Sequence, residues 1–266
     1  MKRFTIAVAL VILGSAAALA QDWWQENTAE YPPISLELNA WLSKGTGNIT
    51  WSGSEPGTPI DLREDAGMND DEFGPYIRLN IGLDDRWTFR FSYWHTKSTG
   101  TNEIGKPIVF GDTTFPEDVE TKTSLAVDAY YALAGYKFVD GEQLDFILMF
   151  GGAAFNSRME MENETQQLQQ SSVLASPAIG LGLDVALSKD LLFRTQIAGF
   201  AGDINHVNGQ WFDAEGALNL TLIQGVYITG GYKLFRADAD FGNDTASQNS
   251  ADFKLQGPYF GLGLVF

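Results

Sequence analysis

The last nine residues of the chain, 258–266, alternate in a way that constrains the fold more than any other stretch. One face of an extended strand here carries large apolar side chains: Phe260, Leu262, Leu264 and Phe266. The opposite face carries the other four residues: Tyr259, Gly261, Gly263 and Val265. A strand of about 9–11 residues crosses a bilayer at a tilt when its large apolar side chains face lipid. The stretch therefore predicts a membrane-spanning strand that ends at a membrane–water boundary.

The first twenty residues have the pattern of a secretory signal peptide. Lys2 and Arg3 form a basic region, residues 4–13 an apolar region, and residues 18–20 a small-x-small cleavage site. The apolar region is short for a retained membrane helix, which is the alternative, so we expect the mature chain to begin at Gln21. Residues 21–33 then form a predicted periplasmic segment, and residues 34–266 form the predicted barrel.

The composition argues against several other classes of protein. Without cysteine the chain has no lipoprotein acylation site, disulfide or thiolate metal site, and its two histidines are few for a zinc site. A net charge of −17 argues against nucleic acid as a partner. After the signal peptide no run of 18 apolar residues predicts a helical span, and no nucleotide or metalloprotease motif predicts a cofactor. The 18 Phe, 9 Tyr, 7 Trp and 28 Gly suit a transmembrane barrel, with a soluble β-sandwich as the competing fold.

Alternating hydrophobicity predicts an all-β protein, a transmembrane antiparallel up-and-down barrel of ten strands. The predicted strands are 34–43, 75–83, 87–96, 122–138, 144–156, 172–187, 191–203, 211–222, 226–238 and the closing stretch. Tight turns at 84–86, 139–143, 188–190 and 223–225 alternate with longer polar loops at 44–74, 97–121, 157–171, 204–210 and 239–251. Short periplasmic turns and long outer loops are typical of bacterial barrels. Eight or twelve strands are the alternatives.

The closing strand resembles the C-terminal assembly signal of Gram-negative outer-membrane β-barrel proteins. Four residues match the aromatic, glycine, apolar and terminal Phe positions of that signal: Tyr259, Gly261, Leu264 and Phe266. The resemblance implies export by periplasmic chaperones, insertion by the barrel-assembly machinery, and contact with outer-membrane lipid and lipopolysaccharide. It indicates no subfamily.

Strand alternation also predicts which side chains line the lumen. Arg90 fixes the register of its strand, because turning it to lipid costs about 2–4 kcal/mol. In the strand at 122–138 the same rule turns an apolar stripe toward lipid: Leu125, Val127, Ala129, Tyr131 and Leu133. The predicted lumen-lining charges are Glu37, Arg78, Arg90, Asp128, Asp145, Asp184, Arg194 and Lys233. Charges of both signs suit either a salt-bridged plug or a narrow water column.

The predicted outer loops are rich in acidic residues. Asp70, Asp71 and Glu72 are weak calcium candidates, because oxygen-rich clusters bind Ca²⁺, but they lack the ligand spacing of an EF-hand. A solvated acidic surface is the favoured interpretation. The polar tract 166–172 predicts a flexible loop tip.

The two histidines raise the alternative of a membrane-embedded hydrolase. Omptin proteases and lipid A deacylases use a histidine with acidic or serine partners at the barrel rim. His95 has Ser98 nearby, and His206 has Asp203 and Asp213, but no local pattern matches either family. We therefore assign no catalytic residue, metal or cofactor.

The sequence favours a small structural or porin-like barrel, cation-favouring if its lumen is open because the mouth is acidic. The alternatives are an omptin-like or lipid A-modifying hydrolase, and an adhesin that binds through its surface loops.

Overall fold

The computed structural model describes residues 34–69, 71–204, 207–241 and 249–266. The predicted signal peptide and periplasmic segment lie outside these residues, as do Asp70 and His206. Within the described ranges no helix is long and apolar enough to cross a membrane.

Thirteen strands make up the described structure. In chain order they are β1 (Ile34–Thr50), β2 (Ile60–Asp61), β3 (Glu72–Gly82), β4 (Trp87–Glu103), β5 (Ile108–Phe110), β6 (Thr113–Phe115), β7 (Glu120–Asp140), β8 (Leu144–Glu162), β9 (Gln167–Ser188), β10 (Leu191–Ile204), β11 (Val207–Ile223), β12 (Val226–Phe241) and β13 (Asn249–Val265). All except β2, β5 and β6 are long, and each long strand pairs antiparallel with its neighbours in sequence. β13 also pairs with β1, from Ser35 opposite Val265 to Thr50 opposite Ser250, which closes the barrel. The predicted ten-strand barrel is confirmed.

Four tight turns mark one end of the barrel, which we call the turn end; the other is the loop end. In the first turn Asp84 accepts hydrogen bonds from the backbone N–H groups of Trp87, at 2.6 Å, and Arg86, at 2.8 Å. These bonds lower the pKa of Asp84. Because short turns of bacterial barrels are periplasmic, we expect the loop end to face outward from the cell.

Several strands are much longer than a bilayer requires. β7, β8 and β9 contain 21, 19 and 22 residues, against about 9–11 for a crossing. The excess lies at the loop end, where the sequence predicted loops. The prediction of a flexible tip at 166–172 is wrong, because β9 begins at Gln167 and its first residues pair with β8. A polar strand outside the membrane lacks the apolar stripe on which the sequence prediction depended.

The register predicted for the fourth long strand, β7, is also wrong. Its five predicted lipid-facing residues are at most 6% exposed, whereas the intervening Tyr130 is 50% exposed. The larger apolar side chains therefore fill the interior, and small alanines alternate with Asp128 and Tyr130 on the outer wall. Asp128 is consequently not a lumen residue.

The described residues of loops one and two, 51–69, 71 and 104–119, form a cap over the loop end. The Gly111 N–H donates to the Trp51 carbonyl at 2.8 Å, and the Ser54 N–H donates to Asp112 at 2.7 Å. The bonds from Ser54 lower the pKa of Asp112. Apolar side chains of the cap are at most 1% exposed and belong to the same buried cluster as the barrel interior: Ile60, Leu62, Ile104, Ile108, Phe110 and Phe115.

Candidate functional site

Glu37 on β1 is the centre of an ion-pair network in the turn-end half of the lumen. It is fully buried and accepts hydrogen bonds from Arg194 at 2.5 Å, Arg78 at 3.1 Å and the Tyr227 hydroxyl at 2.8 Å. Arg194 lies on β10, four strands from β1 around the barrel. The network therefore crosses the lumen instead of following its wall.

Arg78 carries this network to the opposite wall. It contacts both Glu215 on β11 and the Tyr76 hydroxyl, and Tyr76 donates to Glu215 at 2.6 Å. Each buried charge in this group has partners of opposite charge, which is the condition for holding ions in a low-dielectric interior.

A second ion pair lies beside Tyr76. Lys233 on β12 contacts both oxygens of Asp213, at 2.5 and 2.7 Å, and its Nζ lies 4.9 Å from the centre of the Tyr76 ring. Tyr131 on β7 donates to Asp213 from across the lumen, at 2.8 Å. The position of Tyr131 explains the β7 register: its hydroxyl satisfies a buried carboxylate that a lipid-facing Tyr131 would leave without that bond.

The remaining predicted lumen charges lie nearer the turn end. Arg90 contacts Gln196 across the barrel and donates to Asn80 at 2.7 Å. Asp145 pairs with Lys137 at 3.2 Å. Asp184 lies 3.7 Å from Arg194, which links this level to Glu37.

The buried charges balance among the described residues. The acids are Glu37, Asp145, Asp184, Asp213 and Glu215, and the bases are Arg78, Arg90, Lys137, Arg194 and Lys233. Sequence reasoning missed Glu215 and Lys137 and considered Asp213 only as a partner for His206. Alternation in β11 would have identified Asp213 and Glu215 as inward residues, because they share one face of the strand with Trp211 and Ala217.

Aromatic rings fill the lumen on the loop-end side of the ion pairs. Trp41 on β1 contacts Trp94 on β4 with ring centres 5.3 Å apart, and Trp94 contacts Phe235 on β12 at 5.1 Å. Phe155 on β8 contacts Phe235 at 5.3 Å and Trp211 at 5.2 Å. Edge-to-face and tilted contacts of this kind join strands from all sides of the barrel into one packed layer.

Glycine on the closing strand makes room for this interior. A Cβ at Gly263 would lie 2.0 Å from the ring of Tyr227, whose hydroxyl donates to Glu37. The absence of a side chain at Gly263 therefore leaves room in the lumen for the Tyr227 ring. The residues of the predicted assembly signal divide by face: Tyr259 is buried at 2% exposure and Gly261 lies on the same face, whereas Leu264 and Phe266 are exposed on the other.

An apolar cavity of about 160 Å³ lies between the aromatic layer and the cap. Its floor is formed by Phe155, Trp211, Phe235 and Phe253. Its walls include Ile49, Leu174, Phe200, Ala237, Ser157 and Gln210. Trp51 of the cap covers one side, and the Ser52 N–H donates to the Asn249 side chain at 2.7 Å, which ties the cap to β13. The wall is mostly apolar with a few polar groups, as is typical of small-molecule sites.

His95 and Asp128 meet on the outward face of the barrel wall and not in the lumen. The His95 Nδ1 lies 2.9 Å from Asp128 Oδ1, and the Tyr93 hydroxyl donates to the same oxygen at 3.0 Å. Within the described ranges no three His, Asp or Glu side chains group as a metal site would require. Of the calcium candidates, Asp71 lies 3.8 Å from Lys44, and Glu72 begins β3.

Comparison with known proteins identifies the fold but no closer relationship. No protein-family model and no curated protein sequence matches the chain. Among solved structures, the outer-membrane protease OmpT from Escherichia coli has a TM-score of 0.57 at 9% identity, over 90% of this chain and 99% of OmpT. The translocator domain of the autotransporter NalP from Neisseria meningitidis has a TM-score of 0.42 at 11% identity, over 98% of both chains. The protein has the fold of Gram-negative outer-membrane β-barrels, and the predicted location in the bacterial outer membrane agrees with this finding.

Proposed function

We propose that the protein is a closed, non-conducting outer-membrane barrel that binds a small apolar molecule in the cavity at its loop end. The observation that carries this proposal is the order of layers along the lumen. Ion pairs occupy the turn-end half, aromatic rings occupy the middle, and the cavity lies on the loop-end side of the rings.

This order argues against a passive pore as the principal function. Ion conduction needs a hydrated path, but the buried charges are engaged by each other, and the Trp94–Phe235 contact reaches across the layer above them from β4 to β12. The hydrolase alternative has less support, because the described His95 lies on the outer wall and has no acidic partner in the lumen. The fold likeness to OmpT carries no activity over at 9% identity.

The cavity suits an apolar ligand of about one or two rings. A cavity of about 150 Å³ lined by apolar side chains stays dry and accepts benzene in another protein. Here four aromatic side chains form the floor, and Ser157 and Ser172, which are paired on β8 and β9, offer hydrogen bonds to a single polar group. Such a ligand gains apolar contacts on binding, and little water has to leave the cavity, because an apolar cavity is poorly hydrated.

The binding test uses benzene and indole as probes and the refolded mature protein in detergent micelles. The indole N–H of Trp211 donates to Ser176 at 2.8 Å beside the cavity floor, so its ¹⁵N–¹H signal reports occupancy. We expect saturable shifts of this signal, and about tenfold weaker binding in Ala237→Leu, because the larger side chain fills the cavity. Ala214→Leu, on the outer wall of β11, is the matched control and leaves the affinity unchanged. Shifts that do not saturate, or equal affinity in Ala237→Leu, would contradict the proposal.

A further inference from the structure

The outer wall of β3, β4, β7, β8 and β9 contains a groove of about 830 Å³. The outward residues of neighbouring strands stand in rows, each row advancing two residues or about 7 Å along the strand. One row is Phe91–Ala132–Gly152, and the next toward the loop end is Tyr93–Tyr130–Ala154. Small side chains form the floor: Ala132, Gly152, Ala154 and Ala175. Rings and branched chains form one side: Ile77, Leu79, Phe91 and Tyr93.

Membrane lipid is the one occupant that the position of this groove allows. The groove lies in the belt where exposed apolar side chains such as Phe91, Phe150 and Ile179 mark the lipid-facing surface. A groove on this surface is filled by acyl chains, because the bilayer core contains no water to occupy it. Apolar fit alone would not select one lipid, since all tails are equally apolar. Selection must come from the head group.

Polar residues stand directly above the groove, at the height of the lipid head groups. The row after Tyr93–Tyr130 is His95–Asp128–Asn156, and the row after that holds Lys97 and Arg158 on either side of Ala126. Arg158 is six residues from Gly152, about 20 Å along the strand and about 15 Å along the membrane normal at the usual tilt. The outward apolar residues of β8 run from Phe146 to Ala154, so Arg158 lies beyond them on the loop-end side, where the hydrocarbon core gives way to head groups.

Lys97 and Arg158 are suited to an anion on the lipid. Both are exposed, and within the described residues neither forms an ion pair with a carboxylate. Asp128 below them is engaged by His95 and Tyr93, and the outward Glu160 is engaged by Gln167. Two cations that flank a single alanine form a pair of donors for one phosphate group.

We infer that this surface binds a phosphorylated lipid of the outer leaflet, with an acyl chain in the groove over Gly152 and Ala154 and a phosphate between Lys97 and Arg158. The inference is independent of the apolar cavity inside the barrel, because the two sites lie on opposite sides of the wall. The inference also gives the observed register of β7 a function, because the small outward alanines of that strand leave space for the groove.

Native mass spectrometry of the refolded mature protein tests this inference, with diphosphoryl lipid A and its dephosphorylated form as probes. We expect the wild type to retain the phosphorylated form about tenfold more strongly. The double variant Lys97→Gln with Arg158→Gln removes this preference. Gly152→Leu fills the groove and weakens retention of both forms; its Cβ meets only the Ser176 carbonyl, at 3.6 Å, so the barrel accommodates it.

Matched controls lie on the far wall. Gly230→Leu adds the same side chain at an outward glycine whose Cβ meets no atom within 4 Å. Arg236→Gln with Lys254→Gln removes the same charge from a neighbouring outward pair on β12 and β13. Both controls leave retention unchanged, and circular dichroism establishes that every variant is folded. Equal retention of the two lipids by the wild type, or equal losses in the controls, would overturn the inference; if Gly152→Leu fails to fold, Ala154→Leu replaces it.

Discussion

At the scale of single residues, Glu37 shows how far sequence reasoning extends into the lumen. Alternation in β1 predicted that Glu37 points inward, because a carboxylate among Leu36 and Leu38 cannot face lipid. It could not predict its partners, since Arg194 is 157 positions away and lies four strands around the barrel. Which charges pair across a lumen depends on barrel diameter and strand stagger, and neither is encoded within one strand.

Removal of the Glu37 charge should therefore be costly. We expect Glu37→Gln to lower the free energy of unfolding by about 3–5 kcal/mol, because Arg78 and Arg194 remain buried with less opposing charge. Urea unfolding of the protein in lipid vesicles measures the change. Arg236→Gln is the control, since it breaks an exposed pair with Asp252 worth at most about 1 kcal/mol. A loss for Glu37→Gln no larger than that of the control would show that the lumen network does not stabilise the barrel.

At the scale of elements, β7 shows where the pattern of apolar-out and polar-in residues fails. Both faces of this strand are mostly apolar, so hydrophobicity alone does not set its register. The interior beside β7 is a packed aromatic and aliphatic layer, and larger side chains such as Leu125 and Leu133 fill it better than alanine. The other long strands alternate more strongly, which is why the sequence predicted ten strands and their turns.

The β7 register is testable by cysteine labelling, because the protein has no native cysteine. We expect Ala132→Cys to react with a lipid-soluble maleimide in vesicles, since residue 132 lies in the outer groove. Leu133→Cys should not react, because Leu133 is 1% exposed inside the lumen. The reverse pattern, with Leu133→Cys reactive and Ala132→Cys protected, would restore the register predicted from sequence.

At the scale of the whole molecule, the strands form a closed wall and the side chains form a filled interior. The fold and its direction in the membrane follow from strand pattern, turn lengths and the closing stretch. Whether the lumen is open does not, because Trp41, Trp94 and Phe235 meet only when β1, β4 and β12 are brought together. The loop cap adds a second layer that polar loop composition alone did not predict.

Current across a planar bilayer tests the closed lumen most directly. The refolded mature protein is reconstituted under a salt gradient, with insertion established by recovery of folded protein from the bilayer lipid and with a known porin as the positive control. Because ion pairs and aromatic rings fill the lumen at successive levels, we expect no stable current steps from the wild type. Stable, ion-selective steps at protein concentrations that give single insertions would contradict the closed barrel and restore the porin-like function.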